Sequence, residues 1–386
     1  MVLPFDKLKR TLDEAYATAD DFSFIDDELR PAYQNHILSI LSGACMEVLG
    51  TRVERPDWVP YIPYYFPRAT PNPDTVYSFA PIDPDGAYRL SGKLGNETLA
   101  AVTLRKGGAH LGTRPGFRVG EIDFSEVERE HDGAFNFLLS KERPASYKGQ
   151  WFALHPETES LMLRRVTKEA SEEDSICALE RVDNVAESLT SSPEDHASKL
   201  DRICSYTLDQ NAFLLRYMAH LFDIGADKGF VADDQAPHGG LIVQQHYFHL
   251  YSLQEDEALI IEAKLPKNAK YWSIQTFTPF AATPDYTMRQ SALNDKQAVA
   301  DPDGVVRIVL ALKDPGVANW LDPCGWRKGG VQWRWNDFDS DPEPKVTKVS
   351  IDRLQENLPR TTQWADASQR MQALAQRAYY YQKRRR

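Results

Sequence analysis

The sequence contains few cysteines, and they are too far apart to form a recognised motif. Cys45, Cys177, Cys204 and Cys324 include no CxxC pair, which argues against a disulfide framework and against a thiolate zinc site. The glycine-rich run GGAHLGTRPG contains neither GxGxxG nor GxxxxGKS/T, so the phosphate cradle that those motifs form is not predicted. We therefore expect a protein with no cofactor and no bound metal.

Long apolar runs and an excess of basic residues are also missing. The chain of 386 residues has 45 Lys and Arg against 56 Asp and Glu, a net charge of -11 that disfavours attraction to a nucleic acid. The opening run MVLPFDKLKRTLDEAYATADD places charges in every turn, unlike a signal peptide or a membrane span. We expect a cytoplasmic protein with no integral membrane segment and no nucleic-acid partner, and the sequence leaves a homo-oligomer open.

Helical periodicity appears in four blocks of the chain. Apolar residues recur every three or four positions in PAYQNHILSILSGACMEVLG, where Gly50 is placed as a cap. Another block begins near Ser192 with a capping pattern and ends at Gly225. The faces predicted to be apolar in the first and last helices consist of Phe5, Leu8, Leu12 and Tyr16, and of Trp364, Met371, Leu374 and Ala378.

Between these blocks the hydrophobic period changes to two, which is typical of half-buried strands. In VQWRWND the alternation predicts that Val331, Trp333 and Trp335 face a core while the polar residues face the opposite side. Turn residues separate the runs at the spacing of sandwiches and jelly rolls. The predicted strands are ETLAAVTL, QWFALH, ESLMLRRV, SICALERV, QQHYFHLYSL, EALIIEAKL, YWSIQTF, VVRIVLAL, VQWRWND and KVTKVSI.

These patterns predict an α+β protein built from antiparallel β-sandwiches that resemble jelly rolls, with N-terminal helices, a helical insertion and a C-terminal helix. The predicted segments are an N-terminal helical segment at 1–55, a first β-rich domain at 56–190, the insertion at 191–228, a second sandwich at 229–352 and the last helix at 353–386.

A short echo links the two β-rich regions. The runs IDPDGAYRL and ADPDGVVRIVL both place DPDG before a predicted strand. One interpretation is a duplication of β domains. The other is a favourable turn used twice, because Pro presets φ and Gly accepts a positive φ.

The run from Tyr271 to Gly330 contains YWSIQTF, DYTMRQSALN, DPDGVVRIV and DPGVANWLDPCG in order. This series resembles the domain of unknown function 1214 family, with departures at Ala292, Pro323 and Cys324. The N-terminal run NPDTVYSFAPIDPDGAYRLSG is similar to domain of unknown function 1254. The resemblance implies helical segments around antiparallel sandwiches, one of them jelly-roll-like, and it implies no particular chemistry.

The stretch before the first DPDG carries a candidate site. Arg68 precedes Asn72, Asp74 and Tyr77, and a carboxylate beside an arginine and a phenol is suited to acid–base chemistry. We therefore assign Asp74 and Tyr77 as candidate catalytic residues, with Arg68 and Asn72 as substrate contacts. The alternative is an Asx-type turn at Asn72 and Asp74 that is capped by Arg68.

The second half repeats the same kinds of groups. Asp285, Tyr286, Arg289 and Asn294 supply an acid, a phenol, an arginine and an amide, and the arginine could clamp an anionic substrate group. Asp285 is the candidate catalytic residue, and the other three are candidate substrate contacts. A structural ion pair between Asp285 and Arg289 is the alternative. We expect this segment and the 72–77 segment to line one cavity.

Histidines form a third cluster, with His238, His246 and His249 close in sequence. Residues three apart on a strand point to opposite faces, which argues against chelation by the last two. His246 and His249 are therefore candidate general bases rather than metal ligands.

Three further residues complete the list of candidate substrate contacts. His110 and Arg114 lie in the glycine-rich loop, which either folds over a ligand or is a long hairpin connection. Trp333 would suit an apolar substrate pocket, although a sandwich core accounts for such aromatics equally well.

These residues support two functional hypotheses. The first is a cofactor-independent hydrolase or lyase that acts on a small, partly apolar molecule between the β regions. The second is a carbohydrate- or lipid-binding jelly-roll protein without catalysis, because a fold does not fix a function.

Overall fold

The computed structural model describes residues 5–183, 193–235, 240–241, 244–266, 268–336, 339–340 and 343–384. Two residues considered above, Ser192 and His238, lie outside the described residues. Mixed helices and antiparallel sheets confirm the predicted α+β class, with N-terminal helices, a helical insertion and a C-terminal helix.

Three long helices pack together on one side of the molecule. They are α1 (Asp6–Ala17), α2 (Arg30–Leu49) and α3 (Pro193–Asp223). The apolar face predicted for α1 is only partly right. Leu12 packs against the core beside Ala15, but Phe5 is 71% exposed and the buried residues are Thr11 and Ala15. The small side chain at Ala15 lets the buried hydroxyl of Tyr33 approach its backbone and donate to the carbonyl oxygen at 2.7 Å.

Nine strands form the first sandwich, which has two sheets. Its inner sheet has the order β1-β2-β8-β4-β5 and its outer sheet the order β7-β6-β3-β9. All pairs are antiparallel except β6 with β7. The strands are β1 (Val59–Pro60), β2 (Thr75–Pro81), β3 (Ala87–Lys93), β4 (Leu99–Arg105), β5 (Arg118–Asp123), β6 (Ala134–Ser140), β7 (Gln150–Ala153), β8 (Ser160–Val166) and β9 (Ile176–Arg181).

The second sandwich follows α3 and repeats this arrangement. Its inner sheet has the order β10-β11-β17-β13-β14 and its outer sheet the order β16-β15-β12-β18, and β15 with β16 is its parallel pair. Each strand therefore has a counterpart nine strands earlier. The strands are β10 (Val231–Ala232), β11 (Gln244–Ser252), β12 (Glu257–Lys264), β13 (Tyr271–Phe277), β14 (Ala292–Asn294), β15 (Val305–Ala311), β16 (Trp320–Leu321), β17 (Lys328–Asn336) and β18 (Lys345–Ser350).

The repeat in topology does not align the two DPDG runs. The first lies between β2 and β3, whereas the second lies between β14 and β15, which correspond to β5 and β6. The true counterpart of Asp301–Gly304 is Glu130–Gly133. In both turns the glycine has a positive φ and donates to the first residue of the turn, at 2.8 Å from Gly304 and 3.0 Å from Gly133. The two β regions are thus repeats, but the DPDG echo is two turns at different places.

The stretch before the first DPDG contains the inner strand β2, which was not predicted. The residues just before β2 connect the two sandwiches, because Asn72 donates to the Tyr271 hydroxyl at 2.9 Å and Gln275 donates to the Pro71 carbonyl at 3.1 Å.

The chain ends with α4 (Leu354–Asn357) and α5 (Ala367–Lys383). The apolar face predicted for the last helix is wrong, since Met371 is 66% exposed and Trp364 precedes α5. Its buried side is polar and aromatic and includes Arg377, whose guanidinium donates to the Tyr286 carbonyl at 3.1 Å. This helix satisfies backbone groups of the second sandwich rather than filling an apolar core.

Candidate functional site

A cavity of about 150 Å³ lies between the two inner sheets. We call it the arginine cavity. Its walls come from β2, β4 and β8 of the first sandwich, from β11, β13 and β17 of the second, and from α3. The polar and charged side chains that line it include Asn72, Thr75, Tyr77, Arg105, Arg114, Arg164, Gln210, Gln244, His246, Tyr271, Gln332, Arg334 and Asn336.

Successive side chains of a strand point to opposite faces of the sheet, and this alternation directs the polar groups into the cavity. On β17, Trp333 and Trp335 pack in the core of the second sandwich, as predicted. The polar residues of the same strand, Arg334 among them, face the inner sheet of the first sandwich instead of solvent. On β8, Leu163 packs in the first core while Arg164 lines the cavity. The polar face of each inner sheet is therefore a wall of the cavity.

The lining carries an unusual charge. It contains four arginines, and none of its described residues is an aspartate or a glutamate. Glu121 lies 3.8 Å from Arg164. The Asp209 carboxylate accepts the backbone N–H of Arg114 at 2.9 Å. These carboxylates offset only part of the positive charge.

Arg105 and Arg334 form no ion pair with any residue that the structure describes. Arg105 donates to the Tyr61 hydroxyl at 3.3 Å and lies over that ring, 5.1 Å from its centroid. Arg334 donates to the side-chain oxygen of Gln332. The Nε atoms of both arginines are buried without a hydrogen-bond partner. Such groups are costly in a folded protein unless something else satisfies them.

His246 is buried beside these arginines. Burial lowers its pKa well below the ordinary value, and the charges of Arg334 and Arg164 lower it further, so the imidazole is neutral. Its Nδ1 atom has no partner among the described residues. Burial also lowers the pKa of Arg334, but a guanidinium stays protonated near neutral pH.

Tyr271 connects the cavity to Asp74. Its hydroxyl donates to the buried Asp74 carboxylate at 2.8 Å, and Asn294 and Tyr381 donate to the same carboxylate at 3.0 Å each. Burial raises the pKa of Asp74, which these hydrogen bonds oppose. Asp74 itself does not line the cavity. The Asx turn is present, because the Asn72 side chain accepts from the Asp74 backbone at 3.1 Å.

Part of the cavity wall has a strained backbone. Ile62, Ala69 and Thr70 line the cavity with φ values of 43°, 59° and 46°, in the left-handed region that β-branched residues avoid. The Thr70 amide donates to the Ala281 carbonyl at 2.9 Å, so the second sandwich helps to hold this conformation. Strain of this kind clusters at ligand sites.

Arg68 lies apart from Asp74. Its buried guanidinium forms an ion pair with Glu47 of α2 and donates to the Tyr206 hydroxyl at 3.4 Å. The idea that Arg68 caps the turn or contacts substrate does not fit this position. Gly43 leaves room for this guanidinium, because a Cβ atom on that residue would lie 2.3 Å from it and would displace it.

The second predicted segment divides between two places. Asn294 reaches Asp74, whereas Asp285 accepts from the Tyr64 hydroxyl at 3.2 Å, and Tyr286 packs edge-on against Tyr64. The structural alternative, an ion pair between Asp285 and Arg289, does not form. Arg289 instead forms a bidentate ion pair with Asp322 at 2.5 and 2.9 Å.

The remaining candidates are dispersed. Arg114 lines the cavity, with its guanidinium 3.9 Å from the centroid of the Phe213 ring. His110 is buried and packs near Phe79. His249 points away from His246, as the strand spacing requires, and its Nδ1 atom lies 2.9 Å from the Ala226 carbonyl oxygen. Trp333 has no exposed surface, which leaves a ligand nothing to contact there.

Three other cavities are larger. One of about 300 Å³ lies between α1 and α2, and two lie against the sandwiches. One of about 600 Å³ shares Tyr61, Ile62, Thr75 and Tyr77 with the arginine cavity and is otherwise rich in tyrosine and proline. The other, of about 850 Å³, is mainly apolar and lies between α3, the 21–24 segment and the second sandwich. His249 lines it, but that ring already has carbonyl partners. Among the described residues, the arginine cavity therefore has more buried polar atoms without a hydrogen-bond partner.

The described residues lack two kinds of feature. They contain no cluster of three or more His, Cys, Asp or Glu side chains that could hold a metal ion. None of the described helices has the length and apolarity needed to cross a membrane.

Sequence reasoning missed Arg105, Arg164 and Arg334 as site residues. A signal existed, since Arg164 and Arg334 stand at polar positions of strands that alternate with core residues. An arginine at such a position normally faces solvent. Only the docking of one inner sheet against the other turns it into a cavity residue.

Residues 251–327 match the model of a family described as a protein of unknown function, DUF1214. This range supports that part of the sequence resemblance. It includes Tyr271 and Asn294 but neither His246 nor Arg334. The similarity of the N-terminal region to domain of unknown function 1254 stays a prediction. No curated protein matches the chain.

Among solved structures, the chain is similar to an uncharacterised protein from Burkholderia cenocepacia. The identity is 24%, the TM-score is 0.80, and the match covers 90% of this chain and 96% of that chain. The VPA0106 protein from Vibrio parahaemolyticus is a more distant match, with 11% identity, a TM-score of 0.47, and coverage of 87% of this chain and 100% of that chain. The first likeness supports the fold, and neither indicates an activity.

Proposed function

We propose that the arginine cavity binds a small organic anion, and that this anion is the substrate of a hydrolase or lyase reaction carried out by protein side chains. The observation that carries the proposal is the lining of four arginines without a described carboxylate. A carboxylate, sulfate or phosphate of a ligand would supply the missing charge and accept bidentate hydrogen bonds.

The other groups in the lining are suited to proton transfer. A neutral His246 can accept a proton, and the Tyr77 hydroxyl, whose oxygen accepts the Asn72 backbone N–H at 3.1 Å, can donate its own proton to a developing oxyanion while the arginines stabilise the charge. Asp74 is a positioning residue in this scheme, because it holds the Tyr271 hydroxyl at 2.8 Å. A substrate with an apolar part could extend toward the tyrosine-rich cavity that shares Tyr61 and Tyr77.

Binding can be tested by calorimetry with small carboxylates, sulfate and phosphate. Arg334→Gln should weaken the best ligand by about 10- to 100-fold, the range expected for losing a hydrogen bond to a charged group. Arg289→Gln is the matched control, because that guanidinium pairs with Asp322 outside the cavity. Failure of the whole panel to bind the unmodified protein would refute the proposal, as would full affinity in Arg334→Gln.

Catalysis needs a separate test. NMR spectra of the bound anions should reveal slow conversion of a competent substrate by the unmodified protein. Tyr77→Phe should bind that anion with nearly the same affinity but convert it more slowly, by about 100-fold or more. Equal conversion by the variant would remove Tyr77 from the mechanism.

A lipid-binding protein without catalysis is the second candidate, and the apolar cavity of about 850 Å³ favours it. Phe222 lines that cavity. If this candidate is right, a fluorescent fatty acid should bind the protein and should be lost in Phe222→Asp but not in Arg334→Gln.

Metal and cofactor independence belongs to the first proposal. What supports it is the lack of the corresponding sequence motifs, and dialysis against a chelator should leave anion binding unchanged. Composition is likewise what supports a cytoplasmic location and the absence of a nucleic-acid partner.

A further inference from the structure

The two sandwiches contribute equivalent residues to the arginine cavity. In the first, Tyr77 of β2 pairs in register with Arg164 of β8. In the second, His246 of β11 pairs in register with Arg334 of β17. Because β11 and β17 are the counterparts of β2 and β8, each repeat supplies one arginine beside one proton-carrying side chain. The cavity is thus built from two similar halves.

Both arginines lie close to the same proton-carrying groups. The positive charges of Arg334 and Arg164 both lower the pKa of His246. Tyr77 raises the pKa of Arg164 and of Arg334, although burial lowers both more strongly. The Tyr77 and His246 pair therefore lies within the field of two guanidiniums that belong to different sheets.

The charges in the lining leave room for two negative charges on a ligand. Of the four arginines, Arg164 has Glu121 at 3.8 Å and Arg114 has Asp209 beside its backbone. Neither Arg105 nor Arg334 has a described carboxylate within ion-pair distance, although the charge of Glu47 interacts with Arg105 and that of Asp74 with Arg334 from farther away. One of these two arginines comes from the first sandwich and the other from the second, so two separated anionic groups match them better than one.

Resting on the proposed function, we propose that the ligand is a compact dianion with two separated anionic groups, such as a short dicarboxylate. Arg105 and Arg164 bind one group and Arg334 binds the other, while Tyr77 and His246 contact the carbons between them. The cavity volume of about 150 Å³ equals a few water molecules at roughly 30 Å³ each, which suits a dicarboxylate of about four carbons.

Succinate and succinamate provide a matched pair of probes, because the second replaces one carboxylate with an amide of nearly the same shape. Calorimetry at constant ionic strength should show succinate binding the unmodified protein at least tenfold more tightly, since it keeps a second charge-assisted hydrogen bond. Arg334→Gln should bring the ratio of the two affinities close to one, and Arg164→Gln should lower the ratio less, because Arg105 still binds the same anionic group. Arg289→Gln should leave the ratio unchanged.

The outcomes separate this inference from the proposed function. Equal affinity for the two probes, or a succinate preference that survives in Arg334→Gln, would overturn the dianion while leaving a monoanion site intact. Phosphate binding more tightly than succinate would overturn the two-group arrangement in favour of a single group. No binding of succinate, succinamate or phosphate to the unmodified protein would overturn both.

A folding control accompanies the variants. Thermal melts and near-ultraviolet circular dichroism identify any variant that has lost its structure. Arg334→Lys provides a second route, because it keeps the charge but loses the planar fork, and it should give a ratio between those of the unmodified protein and Arg334→Gln. A ratio equal to that of the unmodified protein would contradict bidentate recognition by Arg334.

Discussion

Two buried regions of the molecule contain the same components but differ in one group. In the helical region, His36 lies near Arg68, which pairs with Glu47. In the arginine cavity, His246 lies near Arg334, which has only the amide oxygen of Gln332. Both histidines are neutral because burial lowers the pKa, to about 3 for His36. The difference between the regions is the carboxylate.

That difference distinguishes scaffold from site. In the helical region the charge of Arg68 is matched by the Glu47 carboxylate within ion-pair distance. The cavity is incomplete, and an anionic ligand would complete it. Tyr61 joins the two regions, because the guanidiniums of Arg68 and Arg105 lie 5.5 and 5.1 Å from the centroid of its ring.

The largest expected effect is on the scaffold arginine. Arg68→Met removes the partner of Glu47, which is fully buried, and leaves an acid that must be buried charged or take up a proton. We expect a loss of about 3–5 kcal/mol in the free energy of unfolding, measured by urea denaturation. Arg89→Met is the control, because its pair with Glu180 is exposed and should contribute at most about 1 kcal/mol. Similar losses in both variants would contradict the comparison.

The next effect appears in acid. His36 has a folded-state pKa of about 3, below its unfolded value of about 6.5, so its contribution to stability is present above pH 6.5 and is lost as the pH falls toward 3. Between pH 7 and pH 5 the unmodified protein should lose about 2 kcal/mol more unfolding free energy than His36→Phe. Parallel curves for the two proteins would show that His36 is not held neutral.

The repeated sandwiches were predictable from the sequence only in part. Clean alternation, as in VQWRWND and ESLMLRRV, located β17 and β8, and it separated Trp333 from its polar neighbours. The short strands β1, β10 and β16 have two residues each and leave no periodic signal. The DPDG echo offered duplication as one of two interpretations, but it compared non-equivalent turns, since the counterpart of Asp301–Gly304 has the sequence EHDG.

The candidate site was harder to predict because its residues come from two inner sheets. Asn72, Tyr77, Arg114 and His246 were identified from local sequence, and all four line the cavity. The ion-pair partner of a charged side chain depends on tertiary packing. For that reason the sequence could not show that Arg289 pairs with Asp322 rather than with Asp285. The apolar face predicted for the last helix was wrong for a related reason, because α5 buries arginines that donate to backbone carbonyls.

The third prediction concerns the stability of the ligand-free cavity. Arg334→Gln removes a buried guanidinium that has no described carboxylate within ion-pair distance, although Asp74 interacts with it from farther away. The free energy of unfolding should therefore stay constant or rise by up to about 2 kcal/mol. Urea denaturation without added anions provides the measurement, and Arg68→Met is the contrast. A loss of more than 1 kcal/mol in Arg334→Gln would show that Arg334 has a structural role and would weaken the distinction between the two regions.

The smallest effect is expected at Arg289, whose pairing is intermediate between those of the two regions. Its side chain is 46% exposed while that of Asp322 is 2% exposed, so water screens one end of the ion pair. The Asp322 carboxylate also accepts the Cys324 backbone N–H at 2.7 Å, which would remain after Arg289→Ala. We therefore expect a loss of about 1 kcal/mol in the free energy of unfolding and no change in anion affinity. If Arg289→Ala instead weakens anion binding by tenfold without a change in stability, Arg289 belongs to the site and its ion pair with Asp322 is not structural.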